Sequence, residues 1–222
     1  MTPIKAVFFD VGNTLLFRHQ ETILAELHRK GVFPTTAQMH AIERRTKREF
    51  DDSVMRGGDV DHGFWWAYYS HLLEELSPQE DSLRDSLVTA TRISGNWCDI
   101  LPGTREVLRR LGRRYRLGVI SNADGKIADV LKICGIADCF ITITDSGLVG
   151  YEKPNPAIFH AALKGLGANA AESLYVGDVY SVDYFGATRA GMEAILFDVC
   201  GAYRDSAWPR VESMQELEAR LV

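Results

Sequence analysis

The 222-residue sequence contains no run of about 18 apolar residues, so composition alone gives no candidate for a membrane-spanning helix. Cysteine is sparse: Cys98, Cys134, Cys139 and Cys200 fall at irregular spacings, with no CxxC pair and no clustered histidines. That pattern excludes a zinc site of ordinary spacing and reads as reduced, unpaired thiols. Basic excess is also missing, because 25 Lys and Arg stand against 30 Asp and Glu for a net charge of -5. No broad positive field is available to attract nucleic acid or an anionic membrane, and neither is an expected partner. The stretch MTPIKAVFFD has neither the extended apolar segment nor the small-residue cleavage site of a secretory leader, so the expected location is cytoplasmic. Internal repeats and low-complexity segments are absent too. What is present is ordinary globular composition, 46% hydrophobic and 25% charged, in a chain long enough for one core domain plus a modest insert.

Ile4 to Phe9 is a short β-branched and aromatic run that stops at Asp10-Val11-Gly12-Asn13, the pattern of a buried strand ending in a loop. Similar runs follow at 117–120, ending at Ser121-Asn122, at 140–143, ending at Thr144-Asp145, at 174–176, ending at Gly177-Asp178, and at 194–197, ending at Asp198. Amphipathic segments at 104–115, 125–135, 156–167 and 182–191 alternate with them. Parallel strands need crossover helices, so this alternation predicts an α/β fold: a Rossmann-like, doubly wound parallel sheet with helices on both faces. From about Thr22 to Asn96 the alternation breaks into helical patterning throughout, with loops marked by Pro34 and by Arg56-Gly57-Gly58-Asp59. The expected organisation is a core formed by residues 1–20 and 97–222, with a helical cap domain inserted at 21–96.

In doubly wound sheets ligands bind outside the carboxyl ends of the strands. Four polar signals fall there: Asp10-Val11-Gly12-Asn13-Thr14, Ser121-Asn122, Lys153-Pro154, and Gly177-Asp178 with Asp183. Any one of them is compatible with a turn or a helix cap. All four in strand-end register point to a site.

In order and spacing this set resembles the haloacid dehalogenase superfamily, with its aspartate nucleophile, Ser/Thr, Lys and acidic motifs, and the resemblance covers nearly the whole chain. The segment from Gly147 to Phe159 is similar to the family's Lys motif at almost every position, and the insert resembles its α-helical cap. The resemblance implies that Asp10 is a nucleophile forming an aspartyl-phosphate, which splits hydrolysis into two easier steps. It implies Mg²⁺, held by the carboxylates of Asp10 and Asp178 and the carbonyl of Gly12, with Asp183 anchoring the metal shell. Ser121, the amide of Asn122 and Lys153 would bind the transferring phosphoryl group, and Thr14 would hold the Asp10 loop through its hydroxyl or serve the turn.

The family's phosphatases usually carry a second aspartate two residues after the nucleophile, as acid and base. Here that position is Gly12. General acid–base catalysis contributes typically about 10²–10⁴-fold, so the departure leaves three readings open. One is a Mg²⁺-dependent phosphatase for a small phosphorylated metabolite, for substrates with good leaving groups or with a neighbour such as His19 replacing the missing acid. A second is metal-independent 2-haloacid dehalogenation, against which Asp178 and Asp183 argue. The third is a catalytically weak protein that binds a phosphorylated ligand or a protein partner. A phosphonate-cleaving relative would need a cap lysine as Schiff base; Lys30 and Lys47 lie in the insert without a recognisable motif. Specificity is expected in the insert and in Phe17-Arg18-His19, where Arg18 is the candidate for a substrate carboxylate or second phosphate. Trp65, Trp66, Tyr68 and Tyr69 read as cap core more readily than as pocket lining.

Overall fold

Strand β1 (Ala6–Phe9) is buried at all four positions, as a strand covered by helices on both faces must be. The computed structural model describes residues 3–58, 63–76 and 81–221, so Asp59 of the expected loop lies outside the described residues. After the turn that follows β1, the chain leaves the sheet through the two-residue strand β2 (Phe17–Arg18). Five helices follow: α1 (Gln20–Ile23), α2 (Ala25–Arg29), α3 (Thr36–Met55), α4 (Gly63–Leu76) and α5 (Asp81–Arg92). The chain returns through β3 (Trp97–Asp99), which pairs antiparallel with β2. Exit and entry of the insert therefore run side by side. The insert has its own apolar cluster, in which Leu24, Leu27, Met39, Ile42, Tyr69 and Leu72 are buried together.

The remainder alternates as the sequence predicts. It runs through α6 (Thr104–Leu111), β4 (Arg116–Ser121), α7 (Ile127–Ile133), β5 (Thr142–Asp145), the short α8 (Ser146–Val149), α9 (Pro156–Leu166), β6 (Ser173–Gly177), a π-helical turn at Tyr180–Tyr184, α10 (Phe185–Arg189), β7 (Glu193–Phe197), β8 (Arg210–Val211) and α11 (Met214–Leu221). The six-stranded sheet has the order β5-β4-β1-β6-β7-β8, with every pair parallel. The chain builds one half outward from β1 through β4 and β5, then crosses back to lay β6 on the other side of β1. The crevice of such a reversal opens beyond the ends of β1 and β6. Asp10 and Asp178 stand there, each one residue past its strand.

One face of the sheet buries Val7, Phe9, Val119 and Val176 against α6, α7 and α11; the other buries Phe8, Ile120 and Tyr175 against α9 and α10. Phe8 fits because residue 118 is glycine: a Cβ there would lie 2.7 Å from the ring. Two local expectations shift. The strand expected at 140–143 begins at Thr142, because 137–139 close a 3-10 turn and Ile141 is exposed, and the helix expected from 182 starts as the π turn. The two-residue β8 at the sheet edge has no apolar run to announce it.

Candidate active site

Strand pairing continues one residue beyond β1, since the Asp10 N–H donates to Val176 O at 2.8 Å. The chain then turns sharply: Leu15 and Leu16 both donate to Val11 O at 2.9 Å, and Asn13 takes a left-handed φ of 50°, a conformation asparagine tolerates better than most residues. Asp10 is thereby held, 7% exposed, at the mouth of the crevice. Thr14 is buried in the turn, and its hydroxyl has no hydrogen-bond partner among the described residues. Gly12 lies two residues past Asp10, and a Cβ on it would meet the Trp97 ring at 3.2 Å.

Lys153 is 2% exposed and spends its three protons on Asp10 Oδ1 at 2.6 Å, Asp183 Oδ1 at 2.8 Å and the Tyr175 hydroxyl oxygen at 2.9 Å. Burial opposes its charge, but Asp10 and Asp183 outweigh that and hold its pKa above the ordinary lysine value. Its backbone is clamped to the end of β4: the Asn122 amide donates to Lys153 O at 3.0 Å, and the Lys153 N–H donates to Asn122 Oδ1 at 2.8 Å. Ser121, the last residue of β4, is buried beside this clamp. The loop beyond Asn122 is fastened by Asp145 at the end of β5, which accepts from the amides of Gly125, Ile127 and Gly147.

Asp183 sits in the π turn with both oxygens engaged: Oδ1 accepts from Lys153 and from Tyr175 Oη at 2.9 Å, and Oδ2 from the Val179 N–H at 3.0 Å. Asp178 Oδ2 faces Lys47 Nζ at 2.9 Å and accepts from Asn13 Nδ2 at 3.3 Å. Lys47 comes from α3 of the insert. It is 1% exposed and also pairs with Glu43 Oε1 at 3.0 Å. Burial works against its charge, yet Asp178 and Glu43 outweigh it, and its pKa stands well above the usual lysine value.

Asp10, Asp178 and Asp183 can each offer an oxygen within 4.8 Å of the others. Burial, with mutual repulsion among the three, raises Asp10 to about 7 against the pull of Lys153, and burial raises Asp178 to about 6 against the pull of Lys47. All-oxygen donors carrying uncompensated buried negative charge fit a hard divalent cation such as Mg²⁺. Asp183 is the least available of the three, because its oxygens are already shared with Lys153, Tyr175 and Val179.

Arg18 does not present an open guanidinium. It lies 4.5 Å from the Trp65 ring centroid and 4.6 Å from that of Tyr68, with Glu43 Oε2 at 3.9 Å. His19 is turned to Thr22 Oγ1 at 2.7 Å, at the start of α1. Tyr68 and Tyr69 belong to the insert's core, Trp65 packs edge-on against Trp97, and Trp66 is half exposed under Arg84. A cavity of about 320 Å³ lies between α3 and the core, lined by Asn13, Arg18, His40, Glu43, Lys47 and Cys200 among others. Tyr175 is the polar site residue that sequence reasoning passes over, and Lys47, considered there only as a cap lysine without a motif, is the one whose place beside Asp178 it does not foresee. Tyr175 looks like any aromatic strand residue; its signal is that a fully buried tyrosine hydroxyl demands a partner.

Residues 4–191 match the haloacid dehalogenase-like hydrolase family. The chain belongs to that family. Among haloacid dehalogenase-like proteins it is 32% identical over 206 residues to a glyceraldehyde 3-phosphate phosphatase of Methanothermobacter thermautotrophicus, covering 87% of this chain and 85% of that one. It is 35% identical to the human haloacid dehalogenase-like hydrolase domain-containing protein 3, covering 87% and 81%. Its fold superposes on a magnesium-bound hydrolase of the superfamily from Bacillus subtilis with a TM-score of 0.70 at 18% identity, over 99% of both chains.

Proposed function

We propose that the chain is a Mg²⁺-dependent phosphatase acting on a small phosphorylated metabolite through an aspartyl-phosphate at Asp10. The observation that carries this reading is the pairing of Asp10 with Lys153 at 2.6 Å beside the buried carboxylate of Asp178. Asp10 and Asp178, with the Gly12 carbonyl, would hold the ion, and Asp183 would position Lys153 and the ion's waters. Bound Mg²⁺ supplies charge neutralisation of the phosphoryl oxygens. Lys153 neutralises the same group from its anchored position, and Ser121 with the Asn122 amide adds fixed donors to it. Asp10 Oδ attacks phosphorus as the ester oxygen leaves with the bonding pair; water then attacks the aspartyl-phosphate, freeing inorganic phosphate and the Asp10 carboxylate. We assign residues 21–96 as the cap over this site and 1–20 with 97–222 as the core. A phosphorylated triose is the first substrate to try, since the archaeal relatives are named glyceraldehyde 3-phosphate phosphatase.

The test is phosphate release from a panel of phosphomonoesters with and without Mg²⁺. Release is expected only with Mg²⁺ and is expected to vanish in Asp10→Asn. Chloride release from 2-haloacids in EDTA would favour dehalogenation. Binding of phosphorylated ligands without turnover would favour the catalytically weak reading.

A further inference from the structure

When a phosphate ester breaks, negative charge develops on the departing oxygen, and a site that speeds the step needs positive charge or donors there as well as around the phosphoryl group. Asp10, Ser121, Asn122 and Lys153 all belong to the core and converge on one another at the ends of β1 and β4. The turn carrying Asp10 offers nothing toward the leaving oxygen from residue 12, which is glycine and is closed over by Trp97. His19 and Arg18 are both committed, to Thr22 and to the Glu43 and aromatic contacts. Lys47 is paired as well, with Glu43 at 3.0 Å and Asp178 at 2.9 Å, but one of its partners belongs to the carboxylate cluster itself. It reaches the carboxylate cluster from α3 of the insert, its ammonium is 2.9 Å from Asp178, and it also lines the cavity that a substrate's organic part could occupy.

Burial of a lysine at 1% exposure is costly unless the ammonium is paired, and here the pairing is built in layers. Trp65 and Tyr68 flank Arg18, Arg18 faces Glu43, and Glu43 holds Lys47. Asp10, Asp178 and Asp183 carry one more negative charge than Lys153 and Lys47 offset. One divalent cation reverses that sign, and the reversed site suits a phosphate dianion only while Lys47 is counted.

We propose that Lys47 is a catalytic residue of the insert, which stabilises the departing oxygen in place of a side chain at Gly12. The proposal rests on the phosphatase reading above. As the Asp10–phosphorus bond forms and the phosphorus–ester oxygen bond breaks, the electron pair goes to the ester oxygen, whose charge Lys47 faces; solvent water protonates it and the alcohol leaves. Asp178 and the departing oxygen compete for the same ammonium. Lys47 and Mg²⁺ likewise compete for Asp178.

The test compares wild type with Lys47→Met, which keeps the length and removes the charge, and with Lys47→Arg, which keeps the charge. Substrates are p-nitrophenyl phosphate, whose leaving group needs no help, and glycerol 3-phosphate, whose alkoxide does. Lys47→Met is expected to lower kcat on glycerol 3-phosphate by about 10²-fold and on p-nitrophenyl phosphate by less than about tenfold, with Lys47→Arg recovering part of the difference. By calorimetry, Mg²⁺ is expected to bind Lys47→Met more tightly than wild type, because the competing ammonium is gone. Equal losses on both esters, or weaker Mg²⁺ binding in Lys47→Met, would make Lys47 a structural prop and overturn the proposal. Wild type that hydrolyses neither ester would instead overturn the phosphatase reading and this inference with it.

Discussion

Tyr175 adds a shared hydroxyl to the Lys153–Asp183 pair. Its hydroxyl donates to Asp183 Oδ1 and accepts from Lys153 Nζ, both at 2.9 Å, inside a core with no water-accessible surface on the ring. Tyr175→Phe keeps the packing against Phe159 and deletes those bonds together with a longer contact from the hydroxyl to Ile120 O at 3.3 Å. Hydrogen bonds to charged groups contribute about 1.5–3 kcal/mol, so urea unfolding should show a loss of that size, with kcat falling further than KM changes because Lys153 is the group left loose. Asp10, Lys153, Asp178 and Asp183 were legible in sequence from their positions in and after the strand–helix alternation, and the four lie together, while Ser121 ends β4. Lys47 was legible only as a lysine of the insert without a motif, and its contact with Asp178 was not. It sits in Glu43-Arg44-Arg45-Thr46-Lys47-Arg48-Glu49, a charge run that reads as a solvated helix face.

The helix that carries Lys47 inverts the usual amphipathic rule. Along α3 the buried positions include Met39 and Ile42, but also Glu43, Thr46, Lys47 and Asp51, so part of its inward stripe is ionic and is satisfied by partners on the core. A pattern of apolar spacing locates the Met39 and Ile42 side against the insert's own core and says nothing of the other. The sheet was legible for the opposite reason: its strands bury apolar side chains on both faces, and continuous runs report that directly. The π turn after β6 was missed because its shape follows from a carboxylate, not from a pattern. Asp183 Oδ2 accepts the Val179 N–H and its side chain packs onto Gly177, where a Cβ would lie 2.5 Å from Asp183 Cγ. Gly177→Ala should therefore push Asp183 away from Lys153 and destabilise the fold by about 1–3 kcal/mol, measurable as a lowered urea midpoint.

At the scale of the whole molecule, the insert is tied to the core by buried polar contacts besides its β2–β3 stem. Asp51 accepts the Ser181 N–H at 2.8 Å and the Tyr203 hydroxyl at 2.7 Å, and Arg44 donates to Cys200 O at 2.8 Å. Cys200 lies under this contact, 4% exposed, and burial pushes its thiol up to about 12. Only the thiolate reacts with alkylating reagents, so labelling of Cys200 at pH 8 should be very slow and should rise about tenfold per pH unit toward pH 10, while exposed Cys98 labels early. Asp51→Ala removes the acceptor of two buried donors and should raise Cys200 labelling several-fold at fixed pH, read by mass spectrometry of the alkylated peptide. Trp97, on the returning strand β3, closes over Gly12 while its indole N–H is pinned to Thr91 O at 2.7 Å. A side chain at residue 12 of the core therefore needs the Trp97 ring, at the root of the insert, to give by a few tenths of an ångström, so what position 12 can carry is set in part by a residue of the returning strand 85 positions along the chain.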